Sequence, residues 1–542
     1  MASLIWRTVR GAEWSAALLL TALIVCLHLV AATSAGALWR DEANTVAIAT
    51  LPRIGDVWNN LQYDSFPMLW LLIVRGYATL AGPMNDPAFR ALGFLIGVGV
   101  TGALWFYART IRQSVPLVSL TLLGMSPSMI RWGDTVRAYG FGILLSVLTC
   151  ALLWRFIEKP GAARFMAAAV AAIASVQVLY YNAVALLAFC AGALVVFAYR
   201  RAWRNAIAVV VMGLLAAISL LPYANTIRGT SSWNWLVKIP NYTLTRFWRG
   251  VAETLSLGGS WMPAVWVGSL GLAVSFGVAA LIFPKRFNFP EPDREVILFS
   301  LVALLVGIPG MFVFLRILSY PTNPWYYLSL LAVAAVCIDA IFGALRSRPW
   351  RIVRLAAVVI ITVATLRPTE RAVRSRLTNV DLAGSELERI ARPGDVILVA
   401  PWLFGVSFTR YYHGTAESVT VPPLELGGFH RYDLLLRLMR LPDQTLPAQF
   451  ATDRAAKALQ SGHRVFVAGW INSPEPGVQP IVLPPAPAAR GWADGQREGQ
   501  WYLMVGQFLA QHSVKESWVT LQPTGVVNPY EDLALKMLEG WK

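Results

Sequence analysis

The sequence predicts a polytopic α-helical membrane protein with a small α/β domain at its C-terminal end. Of its 542 residues, 56% are hydrophobic and only 14% are charged, whereas soluble domains carry roughly 25% charged residues. The mean hydropathy is +0.54, and the hydrophobic residues form long apolar runs separated by short basic clusters. This composition excludes a disordered chain, a secreted disulfide scaffold and a coiled coil.

The basic residues are interpreted as topology signals. The formal net charge of +16 comes from 46 Lys and Arg against 30 Asp and Glu, an excess that in a soluble protein would suggest nucleic acid. Here the excess lies between apolar runs, where it fixes the orientation of a membrane protein. We therefore expect membrane lipids as partners and no nucleic acid.

Eleven apolar segments are predicted to cross the membrane. They lie near 14–37, 88–107, 114–130, 139–157, 165–180, 182–198, 205–222, 262–283, 296–315, 325–345 and 352–366. The run 66–82 carries Arg75, which is costly at the bilayer centre, and is predicted to lie along the interface. The basic clusters then all fall on one side, which the positive-inside rule makes the cytoplasm. The N-terminus is expected inside and the C-terminus outside.

This topology places three large segments on the outer face. The first outer loop, 38–87, is expected to contain juxtamembrane helices. The loop 223–261 is rich in Trp and Arg, including Trp233 and Trp235, and is either an interfacial aromatic belt or a flap over a site. Residues 1–370 form the membrane module, and residues 371–542 form the extracytoplasmic domain.

The tail is predicted to be α/β because β-type runs alternate with helical stretches. The β-type runs are 395–400 and 464–468, and the helical stretches are 380–392 and 451–461. The tail has no glycine-rich phosphate loop, so a lid or an acceptor platform is expected.

Two adjacent carboxylates, Asp41 and Glu42, open the first outer loop. A carboxylate at this place can accept a proton from an acceptor hydroxyl as a general base. Alternatively, both residues stabilise the N-terminus of the following helix, whose dipole favours negative charge. A third carboxylate, Asp64, either caps the interfacial helix or helps to bind acceptor, sugar or cation.

A third polar segment runs from Arg131 to Tyr139, where one predicted span ends and the next begins. Asp134 and Arg137 are three residues apart and could form a local ion pair. Arg137 could instead bind a phosphate through charge-assisted hydrogen bonds. Of the five histidines, none shows metal-ligand spacing, and His28 is expected to pack inside the first span.

Together these segments resemble the GT-C glycosyltransferases that use polyprenyl-phosphate sugars, in particular the group of protein mannosyltransferases and lipid A aminoarabinose transferases. Asp41-Glu42 matches the acidic pair of the first outer loop. Residues 64–70 match a D-x-H-P-P-L-Y-like segment, with Phe66 in place of a frequent histidine and Met68 in place of the second proline. Residues 134–139, which end at Tyr139, match an E-x-x-R-x-Y-like segment.

The resemblance covers roughly residues 1–370 and implies a membrane enzyme with its active site on the periplasmic or extracellular side. The Ala- and Arg-rich composition suggests a bacterial source, and hence the bacterial inner membrane. It would transfer a hexosyl or pentosyl group, with inversion, from a polyprenyl-phosphate donor to a lipid, glycan or protein acceptor. Asp41 would act as general base and Glu42 would help to hold the acceptor. Arg137, followed by Arg131 and Arg316, would stabilise the leaving phosphate.

Two further functions remain open at this stage. A lipid-linked sugar flippase would need ionisable residues in mid-membrane and usually repeated halves, whereas most ionisable residues here lie at span ends. A non-catalytic envelope scaffold would leave the acidic loop unexplained. No cofactor follows from the residues, although the resemblance is compatible with a divalent cation.

Overall fold

The structure is a computed structural model, and it describes residues 2–64, 66–113, 115–231, 236, 239, 241–283, 290–475, 477–487 and 494–542. Long helices dominate up to residue 373. Among the described residues they are α1 Ala2–Ser34, α2 Arg40–Ala49, α3 Ile54–Asn59, α4 Met68–Ala81, α5 Asp86–Thr110, α6 Leu117–Ser119, α7 Pro127–Gly133, α8 Ala138–Glu158, α9 Ala162–Val178, α10 Asn182–Tyr199, α11 Trp203–Ser219, α12 Ala224–Ser231, α13 Leu244–Ser256, α14 Met262–Ile282, α15 Glu291–Leu318, α16 Leu328–Ala344 and α17 Arg348–Val373.

The protein is a polytopic helical membrane protein, as predicted. Within the described ranges, nine helices are long and apolar enough to span a membrane. They are Val9–Ser34, Asp86–Thr110, Ala138–Glu158, Asn182–Tyr199, Trp203–Arg228, Met262–Ile282, Glu291–Leu318, Pro324–Ala344 and Arg348–Val373. The two other predicted spans correspond to α9, an apolar helix of 17 residues, and to the segment from α6 to α7.

The segment from α6 to α7 is a broken helix that lies deep in the bundle. It consists of the short α6, a π-helical stretch Leu120–Gly124 and α7. At its start, the backbone amide of Val118 donates to Asp339 near the end of α16. At its end, the Arg131 side chain donates to the carbonyl of Ala372 near the end of α17. The segment therefore passes from one end of the bundle to the other.

Basic residues of the predicted cytoplasmic loops meet at one end of the bundle. They pair there with carboxylates from other helices, in the contacts Arg112–Glu158, Arg200–Glu295, Arg346–Asp293, Arg351–Glu13 and Arg354–Glu13. Asp134 and Arg137 lie at the opposite end, between the end of α7 and the start of α8. Lys285 and Arg286 lie outside the described residues. The assignment of the basic end to the cytoplasm stays a prediction.

The predicted interfacial run contains α4, which has 14 residues. At a rise of about 1.5 Å per residue this helix is about 21 Å long, shorter than the hydrocarbon core of about 30 Å. The guanidinium of Arg75 donates to the carbonyls of Ala49, Leu51 and Pro52. These carbonyls lie at the end of α2 and directly after it in the first outer loop, so α4 lies against that loop.

The C-terminal part folds around a five-stranded sheet. Its described elements are α18 Val380–Ile390, β1 Val396–Ala400, α19 Phe404–Tyr411, β2 Glu417–Thr420, α20 Tyr432–Met439, α21 Leu446–Gln460, β3 Val465–Gly469, α22 Asp494–His512, β4 Ser513–Val519 and β5 Leu535–Trp541. The strand order is β2-β1-β3-β5-β4. Strands β1, β2 and β3 are parallel, and the β4–β5 hairpin adds antiparallel to β3. The sheet domain that was predicted is therefore present.

The first outer loop shares its hydrophobic cores with the sheet domain. Ala43 of α2 belongs to the apolar cluster on one face of the sheet, and Ala37 belongs to the cluster on the other face. The phenol of Tyr411 accepts a hydrogen bond from the Leu38 amide at 2.7 Å. The sheet domain thus packs directly on the segment that carries the predicted acidic pair.

Candidate active site

Asp41 lies in the first turn of α2, at the end of the bundle that faces the sheet domain. Its side chain is 21% exposed, whereas the neighbouring Glu42 is completely buried. Two nitrogen atoms approach Asp41 Oδ1, namely His430 Nε2 at 3.3 Å and Arg40 Nε at 3.6 Å. Asp41 is therefore the accessible carboxylate of the predicted pair.

The surroundings of Asp41 favour its ionised form. Burial alone would raise the pKa of Asp41, because a low-polarity environment disfavours charge. The contact with His430 and the positive charges of Arg137 and Arg40 act in the opposite direction, and the resulting pKa of Asp41 lies well below its ordinary value. Asp41 is consequently a carboxylate at neutral pH.

Glu42 is held by protein groups on all sides. Its Oε1 accepts hydrogen bonds from Arg90 Nη1 at 2.6 Å and from the Val136 amide at 2.7 Å. Its Oε2 accepts from Arg90 Nη2 at 2.9 Å and from the Trp39 amide at 3.1 Å. The bond to Trp39 is the helix-capping contact that the sequence left open as an alternative. The four contacts leave Glu42 no room for a ligand, so they do not support the predicted contact with the acceptor.

Asp64 and Arg137 form a buried pair beside Asp41. Arg137 Nη1 donates to Asp64 Oδ1 at 2.7 Å and to the Asp41 carbonyl at 3.0 Å. The Thr45 hydroxyl donates to Asp64 Oδ2 at 2.9 Å and accepts from Arg137 at 2.6 Å. Burial would lower the pKa of Arg137, but the charges of Asp64 and Asp41 raise it above its ordinary value. Arg137 therefore links the first two predicted motifs.

The structure contradicts two of the alternatives that the sequence left open, one for Asp64 and one for Asp134. Asp64 does not cap the interfacial helix, because α4 begins at Met68 and follows Pro67 in the cap position. Asp134 does not pair with Arg137. Its carboxylate instead contacts the ring of His28, with Nδ1 2.7 Å from Oδ2. His28 is packed inside the first span, as expected, and Asp134 supplies its polar partner.

Aromatic rings surround the Asp64–Arg137 pair. The Arg137 guanidinium lies 4.3 Å from the centre of the Phe66 ring, a cation–π contact. Tyr139 meets Phe66 edge to face at 5.3 Å. Trp325 and Tyr326, which precede α16, pack against each other near Tyr139. Phe66, Tyr139 and Trp325 are buried themselves, so this cluster shields the ion pair from water.

The two remaining predicted arginines lie in different surroundings. Arg131 is partly buried and donates to the carbonyls of Ala372 and Arg376 and to the Ser375 hydroxyl. Arg316 is exposed near the end of α15, and its Nη1 lies 3.4 Å from the Tyr242 carbonyl. All three predicted phosphate ligands have a protein acceptor, but Arg316 is exposed and its contact with the Tyr242 carbonyl is long, at 3.4 Å.

The Trp-rich outer loop is described only in part. Trp233 and Trp235 lie outside the described residues. Helix α13 begins at Leu244, and its Phe247 packs against Tyr327 at 5.8 Å. Trp248 is 45% exposed on the same helix. Both predicted roles of this loop stay predictions.

The possible divalent cation stays a prediction. Arg137 Nη1 donates to Asp64 Oδ1 and to the main-chain carbonyl of Asp41, so the Asp64 carboxylate already has a cationic partner. Within the described ranges, no group of three or more His, Cys, Asp or Glu side chains could hold a metal ion.

Sequence reasoning missed two residues of the sheet domain that reach α2. One is His430, whose ring lies beside Asp41. The other is Glu531, which is fully buried and accepts a hydrogen bond from the Arg40 amide at 2.6 Å. The one local signal was the pair Gly427-Gly428, both with positive φ, which brings the chain close to Ala47 of α2.

Three solved structures illustrate what the chain resembles. ArnT from Cupriavidus metallidurans bound to undecaprenyl phosphate is 12% identical, with 84% of this chain and 93% of that chain covered and a TM-score of 0.46. The oligosaccharyltransferase of Archaeoglobus fulgidus in complex with Zn and sulfate is 12% identical, with coverages of 82% and 68% and a TM-score of 0.46. Arabinosyltransferase EmbB from Mycobacterium smegmatis is 10% identical, with coverages of 67% and 43% and a TM-score of 0.29.

No protein-family model matches the chain, and no curated protein sequence matches it significantly.

Proposed function

We propose that the protein is a membrane glycosyltransferase that transfers a sugar from a polyprenyl phosphate to an acceptor hydroxyl at the outer face, with Asp41 as the general base. The observation that carries this proposal is the state of Asp41. It is a partly exposed carboxylate, kept ionised by His430 and two arginines, at the end of a bundle of apolar helices. The carrier bound in the similar ArnT structure, undecaprenyl phosphate, is in keeping with this donor class.

The reaction is a single displacement. The acceptor oxygen attacks the anomeric carbon, the bond from that carbon to the phosphate oxygen breaks, and polyprenyl phosphate leaves with the electron pair. Attack from the face opposite the phosphate inverts the anomeric centre. The hydroxyl proton passes to Asp41 as the new bond forms. Because the attacking oxygen becomes strongly acidic at that stage, a carboxylate of low proton affinity can accept its proton.

The other residues take supporting roles in this proposal. Arg137 and Asp64 hold the backbone of Asp41 and keep its charge in place, since Arg137 donates both to Asp64 and to the Asp41 carbonyl. Glu42 and Arg90 fix the start of α2. The exposed Arg316 is assigned to the leaving phosphate, because its 3.4 Å contact with the Tyr242 carbonyl is long and leaves other N–H groups for charge-assisted hydrogen bonds to phosphate oxygens.

The proposal is tested with purified protein in detergent, polyprenyl-phosphate sugars and candidate acceptors. Asp41→Asn keeps the shape of the side chain and removes its proton affinity, so transfer should fall by about 10²–10⁴-fold. The matched control is Asp453→Asn on α21, remote from α2 in the sheet domain. Product and released polyprenyl phosphate are counted in parallel. Near wild-type transfer by Asp41→Asn would exclude the base assignment.

A flippase is distinguished by the same preparation. It forms no covalent product in detergent, where no membrane separates two compartments. If no donor and acceptor pair gives product while sided vesicles show lipid movement, the glycosyltransferase proposal fails.

A further inference from the structure

The ring of His430 from the sheet domain lies against the carboxylate of Asp41 in the membrane module. His430 follows the Gly427-Gly428 pair in the connection between β2 and α20. Its side chain is 8% exposed, and Nε2 lies 3.3 Å from Asp41 Oδ1. The two residues are 389 positions apart in the chain, so only the docking of the domain brings them together.

The backbone of His430 is fixed to the helix that carries Asp41. The His430 amide donates to Asn44 Oδ1 at 3.0 Å, and Asn44 Nδ2 donates to the Tyr63 carbonyl at 3.0 Å. Asn44 is completely buried and lies one helical turn after Asp41. The position of the imidazole relative to Asp41 is therefore determined by α2 itself.

The ring is held from the other side by two aromatic residues of the sheet domain. Tyr432 stacks on it at 5.9 Å, and Trp402 meets it nearly at right angles at 6.5 Å. Among the described residues, neither ring nitrogen of His430 makes a hydrogen bond of good geometry. A buried polar group without a bonded partner is rare and calls for an explanation. The Asp41 carboxylate is the polar group that faces it.

We propose that His430 is a positioning residue of the active site, supplied by the sheet domain, whose Nε2–H donates to Asp41 Oδ1 and directs Oδ2 toward the acceptor hydroxyl. Both nitrogen atoms that approach the carboxylate, from His430 and Arg40, are closest to Oδ1. With Oδ1 held in this way, Oδ2 remains for the substrate. This inference rests on the proposed function of Asp41.

Several other groups act on the same carboxylate and must be considered in a pH experiment. Arg40 lies beside it on α2, and Arg137 acts from the loop before α8. Glu531 contributes a buried carboxyl from the segment before β5, and Tyr432 contributes a phenol beside the imidazole. A His430 substitution removes the contact between His430 and Asp41 and retains all of these other groups.

The experiment compares His430→Ala and His430→Gln with His413→Ala, a control at an exposed histidine of the same domain. His430→Ala is expected to lower kcat by about 10²-fold with little change in KM, as for a reacting group displaced by about 1 Å. His430→Gln retains an N–H donor and should restore most of the rate. His413→Ala should behave as wild type.

The pH profile separates positioning from a merely structural role. His430 helps to keep the pKa of Asp41 low, so its removal should move the acid limb of kcat/KM to higher pH. An unchanged kcat in His430→Ala overturns the inference. The inference is also overturned if His430→Ala lowers kcat and the melting temperature, the acid limb of kcat/KM does not move and His430→Gln does not restore the rate. In that case His430 contributes to folding and does not position Asp41. If Asp41→Asn itself retains transfer, the proposed function has failed; if Asp41→Asn is inactive and His430→Ala is normal, only this inference has failed.

Discussion

Replacement of Glu531 by Gln should remove a pH dependence from the stability of the sheet domain. Glu531 is completely buried, and its Oε2 accepts the Arg40 amide while Oε1 contacts the Ser407 hydroxyl. Burial raises the pKa of Glu531 from 4.5 to about 8, although Arg40 and the hydrogen bonds act to lower it. The folded protein therefore favours the protonated acid.

The sign of the effect follows from that raised pKa. Because the pKa of Glu531 is higher in the folded than in the unfolded chain, its contribution to the free energy of unfolding is complete below about pH 4.5 and is lost as pH rises through about 8. Between these values the loss is about 1.4 kcal/mol for each pH unit. In Glu531→Gln the amide cannot ionise, and this slope should be missing.

The measurement is unfolding of the purified protein in detergent at a series of pH values, followed by tryptophan fluorescence. Wild type, Glu531→Gln and Glu475→Gln are compared, the last being an exposed carboxylate of the same domain. Other titrating groups contribute equally to all three proteins, so the difference between the slopes reports Glu531. Equal slopes in wild type and Glu531→Gln would refute the reasoning.

Three further predictions concern the membrane module. Glu42→Gln breaks a buried ion pair and should cost about 3–5 kcal/mol of stability, measured by the same unfolding assay; unchanged stability would contradict a structural role. Arg316→Ala should reduce sugar transfer far more than the control Arg440→Ala, an exposed arginine of the sheet domain; equal rates would exclude Arg316 as the phosphate ligand. In a cysteine-free background, a single cysteine at Ser385 should react with an impermeant reagent on intact cells, and a single cysteine at Ser347 should not. The reverse pattern would contradict the predicted topology.

Features that depend on local sequence could be predicted well. Apolar runs predicted the nine long helices that the described residues contain, and the two β-type runs 395–400 and 464–468 correspond to strands β1 and β3. The broken passage from α6 to α7 was predicted as the single span 114–130 because that run is largely apolar and carries no charge. Its interruption by Gly124 and Pro127 replaces a regular helix by a π-helical stretch and a turn, which hydropathy does not register.

The ion pairs of the site could not be predicted because they depend on where a helix ends and on the backbone conformation that follows it. Asp134 and Arg137 have the spacing of a helical ion pair, but that proximity exists only on a continuous helix. Here α7 ends at Gly133, and Arg137 is extended, with φ −125° and ψ 156°. The two side chains therefore point to different partners, Asp134 to His28 and Arg137 to Asp64.

The contribution of the sheet domain to the site depends on docking, and no periodicity or spacing in the sequence relates His430 or Glu531 to α2. Both residues nevertheless act on the first turn of one helix, His430 on the side chain of Asp41 and Glu531 on the amide of Arg40. A domain expected to serve as a lid or an acceptor platform thus also orients the first-loop carboxylate in the arrangement proposed here.

Asn44 provides a direct test of whether this docking aligns the site. It joins His430 and Tyr63 through two hydrogen bonds while its own side chain is completely buried. Asn44→Ala leaves the imidazole intact but releases its backbone from α2, so kcat should fall and the acid limb should move as they do in His430→Ala. The double variant should then be no worse than either single one, since residues that act as a unit are not additive. Additive losses would mean that Asn44 stabilises the loop independently of His430, and the docking contact would have no part in aligning Asp41.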